Sequence, residues 1–106
     1  MKPRFFMLGL LALLPAADVL AQTYPERPVR VIASQSAGSS LDTIARIVTN
    51  KMSEMFGQQL VIDNRGGAAG TIGLEIGARA TPDGYTMIVG ASSAMIVSKF
   101  TYKKLA

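Results

Sequence analysis

The residues that could hold or transform a small molecule are serines, glycines and a few carboxylates, because this 106-residue chain has neither His nor Cys. Zinc, haem and thiol chemistries of the common kinds are therefore closed to it. The small polar residues gather in three runs: Ser34 to Ser40, Arg65 to Gly70, and Gly90 to Ser93. Short side chains let backbone N–H groups approach a ligand, and helix N-termini favour negative charge. Ser36, Gly38, Ser39 and Ser40 in the first run, Gly67 and Gly70 in the second, and Ser92 and Ser93 in the third supply such groups. Many neutral donors without an obligatory cation suit a small carboxylate. Each serine taken singly reads as a cap or turn residue before it reads as a ligand group, and it is the three loops on one edge that point to a site.

Catalysis is harder to assemble from the same residues. A serine nucleophile needs a base, and without His only a Ser–Lys pair remains, with Lys51 late on a helix and the other mature lysines near the C-terminus. Gly67-x-x-Gly70-x-x-Gly73 follows a strand but lacks the G-x-G-x-x-G register of dinucleotide sites, and no acidic residue ends the next strand. No cofactor is expected. Asp42 stands at the start of a helix, where it can either meet the helix dipole or face a ligand. Arg65 can pair with a ligand carboxylate, or with Asp63, Asp42 or a loop carbonyl.

These loops need elements to carry them. Val29-Arg30-Val31-Ile32-Ala33 is a short β-branched strand. From Leu41 the apolar period becomes helical, with Leu41, Ile44, Ala45, Val48, Met52 and Met55 on one face. Ser39 or Ser40 can cap that helix, and Gly57 suits its left-handed exit. Leu60-Val61-Ile62 reads as a second strand and Thr71 or Ile72 to Ala80 as a second helix. Thr81-Pro82-Asp83-Gly84 is a turn. Tyr85 to Val89 reads as a third strand, apolar enough to be central, and Ala94 to Phe100 as a further helix. The alternation predicts an α/β fold with a parallel β-sheet and right-handed crossovers. Ligands bind such sheets at the carboxyl ends of the strands, where all three small-residue loops fall.

The chain opens with Lys2 and Arg4, an apolar run from Phe5 to Leu14, Pro15, and Val19-Leu20-Ala21. A basic head, short apolar middle and small-residue exit predict a signal peptide over residues 1–21, cleaved near Ala21. The apolar run is too short to span a bilayer, so no membrane span is expected after cleavage. The remaining 85 residues keep nine of the eleven basic and six of the seven acidic residues, a net of +3 with the charges scattered. Nucleic-acid binding calls for a basic stripe with interleaved aromatics, which is missing.

Several ordered blocks resemble a known family. Tyr24-Pro25-x-Arg27-Pro28-Val29-Arg30, Asp42-x-x-Ala45-Arg46 and Gly57-Gln58-x-x-Val61-Ile62-x-Asn64-Arg65 are similar to the tripartite tricarboxylate transporter substrate-binding proteins, also called Bug receptors. So are Gly67-Ala68-x-Gly70-x-Ile72-Gly73, Pro82-Asp83-Gly84-Tyr85-Thr86 and Tyr102-Lys103-Lys104-Leu105. The resemblance implies a periplasmic receptor whose two α/β lobes, of the type II periplasmic-binding-protein kind, close on a carboxylated metabolite and deliver it to membrane permease subunits. It implies that the loops Ser34 to Asp42 and Gly66 to Gly73, including Ala68 and Thr71, hold one ligand carboxylate, partly through water. On this reading residues 22–106 cover part of the N-terminal lobe, the second lobe is absent, and no enzymatic activity is expected. The alternative is a ligand-independent module that docks on a permease or sensor. Two departures stand out: the family's Pro- and Gly-rich first loop reads Ser34-Gln35-Ser36-Ala37-Gly38-Ser39-Ser40, and its Pro after Arg65 is Gly66.

Overall fold

A computed structural model describes residues 23–101. The export signal expected over residues 1–21 and the Tyr102-to-Leu105 block lie outside them. The elements run β1 (Val29–Ala33), α1 (Ser40–Phe56), β2 (Leu60–Asn64), a 3₁₀ turn (Ala68–Gly70), α2 (Thr71–Ala78) and β3 (Thr86–Val89). A π-helical turn (Ser93–Val97) then continues into α3 (Ser98–Thr101). The expected α/β class and alternation are present.

Local chemistry explains the ends of α1. Ser39 holds an extended backbone and its Oγ accepts from the Asp42 N–H, satisfying one of the orphan donors of the first turn. Gly57 takes the left-handed conformation (φ 68°) and its N–H donates to the Ser53 carbonyl. Ser53 also reaches forward, its Oγ accepting from the Leu60 N–H at 2.9 Å, which ties the helix to the strand it feeds.

The three strands are parallel in the order β2-β1-β3. Val29 pairs with Leu60 and Ala33 with Asn64 on one side, while Arg30 pairs with Thr86 and Ala33 with Val89 on the other. Side chains alternate between the two faces. Val29, Val31 and Leu60 form the buried core on one face, with Met52 of α1 and Met87 and Val89 of β3 packed against them. Ile32 and Ile88 point to the other face, where α2 lies with Gly77 against Ile88. The helices therefore flank the sheet on opposite sides, as right-handed crossovers require when the path reverses across β1. Val29 and Ile32 are wholly buried, and each such burial contributes about 1.5–3 kcal/mol.

Two expectations change. β3 was expected to be central, but β1 holds that place, and β3 is an edge among the described residues. The apolar face expected for α1 is only partly covered: Ala45 and Thr49 are buried and Met52 is half-buried, whereas Ile44, Val48 and Met55 are exposed. The cause is geometric, since a single helix lies chiefly over β2 and β1 and leaves the flank beside β3 open.

The arm before β1 is fastened at the opposite end of the sheet from the loops. The Tyr24 hydroxyl donates to the Gly84 carbonyl, and the Glu26 N–H donates to the Tyr85 hydroxyl at 3.0 Å. Tyr24 packs edge-on against Tyr85 with ring centroids 5.3 Å apart, and the Arg27 guanidinium lies 4.0 Å from the Tyr85 ring centre.

Candidate functional site

Because the strands are parallel, all three end at one edge, and each is followed there by a small-residue loop. Backbone bonds hold the loop roots together: the Ser34 N–H donates to the Val89 carbonyl at 3.0 Å, and the Arg65 N–H to the Ala33 carbonyl at 2.8 Å. Between the loops lies a cleft of about 380 Å³, lined by Ser34, Gln35, Ser36, Ser39, Gly66, Gly67, Ala69, Gly70 and Ser93. Its volume lies in the range of small-molecule sites, roughly 300–1,000 Å³. None of the lining side chains is charged. Backbone N–H groups, hydroxyls and the Gln35 amide are what a guest would meet.

Of the residues expected to bind ligand, Ser36, Ser39, Gly67, Gly70 and Ser93 line this cleft; Gly38, Ser40, Asp42, Ala68, Thr71 and Ser92 do not. Asp42 turns inward. Its Oδ2 accepts from the Gly38 N–H at 2.9 Å and from Arg46 Nε at 3.0 Å, while Oδ1 accepts from Asn64 Nδ2 at 2.8 Å. The same Asn64 amide donates to the Gln35 carbonyl at 3.3 Å. The hydrogen bond from Gly38, then those from Asn64 and Arg46, lower the Asp42 pKa from the usual 3.8 to about 2. Beyond the two roles expected of Asp42, the geometry makes it an anchor that pins the first loop to the end of β2.

Arg65 likewise makes an internal pair, its Nε donating to Asp63 Oδ1 at 2.8 Å. Arg30 contacts the other carboxylate oxygen, with Nε at 2.9 Å. These bonds, Arg30 first and Arg65 second, hold the Asp63 carboxyl below the ordinary carboxylate range. The arginines near the cleft are thus neutralised by neighbours. Thr71 is also occupied, its Oγ1 donating to the Ala68 carbonyl at 2.8 Å.

The second loop is bent hard to reach the cleft. Ala68 (φ 45°) and Ala69 (φ 55°) both hold left-handed backbone, a conformation that costs a residue with a Cβ of order 1–3 kcal/mol. Gly70 has φ 95°, and a Cβ there would stand 3.1 Å from the Ala94 Cβ and 3.2 Å from the Ser34 carbonyl oxygen. Only a glycine satisfies both the dihedral and the space. Strain concentrated where three loops converge is characteristic of binding sites.

Residue-type reasoning singled out none of Ser34, Gln35, Gly66 and Ala69, although the first two lie in the first loop and the others in the second. The signal for Ser34 was the strand alternation: it continues the Ile32 side, toward α2. Among the described residues, no three His, Cys, Asp or Glu cluster as metal ligands, and no helix is long and apolar enough to cross a membrane.

A parallel α/β unit with an uncharged, donor-rich cleft at the carboxyl ends of its strands has the arrangement at which sheets of this kind bind small molecules. Residues 44–106 match the tripartite tricarboxylate transporter family receptor. The chain belongs to that family. It is similar to a UPF0065 protein of Bordetella bronchiseptica, 45% identical over 97 residues, which make up 91% of this chain and 28% of the relative. It is also similar to a solved structure described as a periplasmic transporter, with a TM-score of 0.75 and 46% identity over 77% of this chain and 28% of that one. A further likeness is to MatC from Rhodopseudomonas palustris with bound malate, at 37% identity and a TM-score of 0.74, covering 78% of this chain and 28% of the other. The chain thus spans less than a third of the length of the relatives it matches.

Proposed function

We propose that this chain is part of a periplasmic receptor that takes a small carboxylated metabolite into the cleft and passes it unchanged to the permease subunits of a tripartite tricarboxylate-type transporter. Residues 1–21 act as the cleaved export signal, and residues 22–106 form part of the N-terminal of two lobes. The ligand carboxylate is held by backbone N–H groups of Gly67, Gly70 and their neighbours, by the Ser36, Ser39 and Ser93 hydroxyls, and by bridging water. Gly38, Ser40, Asp42, Ala68, Thr71 and Ser92 shape the loops that present those groups.

The observation that carries this reading is the cleft itself: three strand-to-helix loops converge on one edge with no charged side chain lining the space. Such a site can stabilise an anion with preorganised dipoles without first breaking an ion pair. The malate bound to MatC supports a carboxylate as guest. With a single lobe the cleft stays open to water, so affinity is weak until a second lobe closes.

Titration of the ¹⁵N-labelled chain with malate, succinate, adipate and citrate tests this. Saturable amide shifts are expected in residues 34–40, 65–71 and 91–94. Shifts absent there for every acid would contradict the reading. One observation favours the docking alternative, namely the exposed Ile44, Ile47 and Val48 on α1. Co-purification with permease subunits that is indifferent to all four acids and is abolished by polar substitutions on α1 would support it.

A further inference from the structure

We infer that the Ser34 hydroxyl is a ligand-binding group, the floor donor that meets a carboxylate oxygen in the cleft; this rests on the carboxylate reading above and deepens it. Ser34 lines the cleft and is fully buried, yet its Oγ is the one buried side-chain polar atom without a hydrogen-bond partner among the described residues. A buried hydroxyl left unpaired costs about 1–3 kcal/mol, and folded proteins retain few of them. Ala94, whose Cβ would meet a Cβ on Gly70 just as Ser34 Oγ would, shows that an apolar residue fits this neighbourhood, and alanine at position 34 would remove the cost.

The other hydroxyls near the cleft have different fates. Ser39 Oγ accepts from the Asp42 N–H and Thr71 Oγ1 donates to the Ala68 carbonyl. Ser36 and Ser93 are exposed and can bond to water. Ser34 alone has no such outlet. Its surroundings are also kept clear of side chains: a Cβ on Gly70 would lie 3.3 Å from Ser34 Oγ, and one on Gly90 would lie 3.5 Å away. A small side chain at either position would wall the oxygen in. Its backbone, meanwhile, is fixed by the bond from its N–H to the Val89 carbonyl.

The partner must be an acceptor from outside. Asp42 and Asp63 are held by Arg46, Arg30 and Arg65, and no carboxylate lines the cleft to compete for the proton. A guest carboxylate oxygen completes the set, and a hydrogen bond to a charged group is among the stronger neutral-donor contacts.

The test uses the full chain and its Ser34→Ala variant, with Ser36→Ala as the exposed-hydroxyl control, each titrated with whichever of malate, succinate, adipate and citrate shifts the native cleft amides most. Ser34→Ala is expected to weaken binding about tenfold or more while its Tm stays level or rises, since the lost group was unpaired in the free protein. Ser36→Ala should change binding less. Native binding with equal affinity in Ser34→Ala would overturn the Ser34 assignment alone and leave the receptor reading standing. A clear fall in Tm would also overturn it, because the hydroxyl would then be bonded within the fold. If none of the four acids perturbs the native cleft, the receptor reading fails and takes this inference with it.

Discussion

The cleft at the carboxyl edge of the sheet and the groove between α1 and β3 are built on the same three strands with opposite chemistry. The cleft is lined by small polar residues, most of whose neighbours are bonded to one another. The groove holds about 160 Å³ and is lined by Val31, Ile44, Ala45, Val48, Met52, Leu60, Met87 and Val89, among others. Behind the cleft, Asp42 and Asn64 use their hydrogen bonds to fix loops, so the groups that line it are positioned. In the groove nothing is directional. Its apolar groups are what remains when one helix covers two strands of three. Preorganisation therefore belongs to the cleft, and the groove reflects unfinished packing around β3.

Substitutions that separate the two regions should show this difference. The largest effect is expected from Gly73→Ala, at the first turn of α2. Its Cβ would come 2.7 Å from the Arg65 carbonyl oxygen and 2.8 Å from Ser34 Cα, both backbone atoms that cannot swing away. A loss of about 2–3 kcal/mol is expected in urea unfolding, with amide shifts concentrated at the cleft loops and not at the groove. Native-like stability would mean that the close approach of α2 to β1 is not what holds the cleft.

Acid should dismantle the cleft before the groove. The folded pKa of Asp42, about 2, lies below its usual 3.8. Its contribution is thus complete above about pH 4 and is lost as pH falls toward 2. Asp63 shifts in the same direction. Between pH 4 and pH 2 the amides of Gly38 and Asn64 should move first, and Asp42→Asn should remove most of that dependence. A flat profile in the native chain would show that the Asp42 network does not anchor the loop.

Ser39→Ala removes the cap of α1 and should cost about 1 kcal/mol by thermal or urea unfolding, because its Oγ no longer accepts from the Asp42 N–H. Smallest of all is the paired change Ile44→Gln with Val48→Gln. Both residues are at least half exposed, at 59% and 50%, so stability should move by no more than about 0.5 kcal/mol. Fluorescence of a dye that reports exposed apolar surface should fall, and carboxylate-induced shifts at the cleft should stay unchanged. A large loss of stability would show that these side chains are covered in solution, which would erase the contrast.

How much of this was legible in sequence follows the range of the interactions. The short β-branched and apolar runs at Val29 to Ala33 and Leu60 to Ile62, the Ser39 cap and the Gly57 exit are set within a few residues of themselves and stand where residue pattern placed them, with the second strand running on to Asn64. Alternation of strand and helix was enough to predict a parallel sheet and the edge at which the loops gather. The burial of α1 was less legible. A helical period shows which residues share a face but not how much of that face a neighbour covers, so Ile44, Val48 and Met55 read as core and are exposed. The inward turn of Asp42 depended on Asn64, 22 residues away, and no local pattern announces such a partner.

What the amino-acid sequence determined by itself is the element order, the parallel sheet and the collection of neutral donors at one edge, since hydrophobic period, capping and turn chemistry act locally. The resemblance of its ordered blocks also pointed to the receptor family to which the chain belongs. Only the tertiary structure decided which donors face the cleft and which are consumed, because a hydroxyl or carboxylate is available to a guest only when no nearby chain segment has claimed it. Thr71 and Asp42 were claimed, Ser39 accepts from the Asp42 N–H and keeps its O–H to donate, and Ser34 was left without a partner.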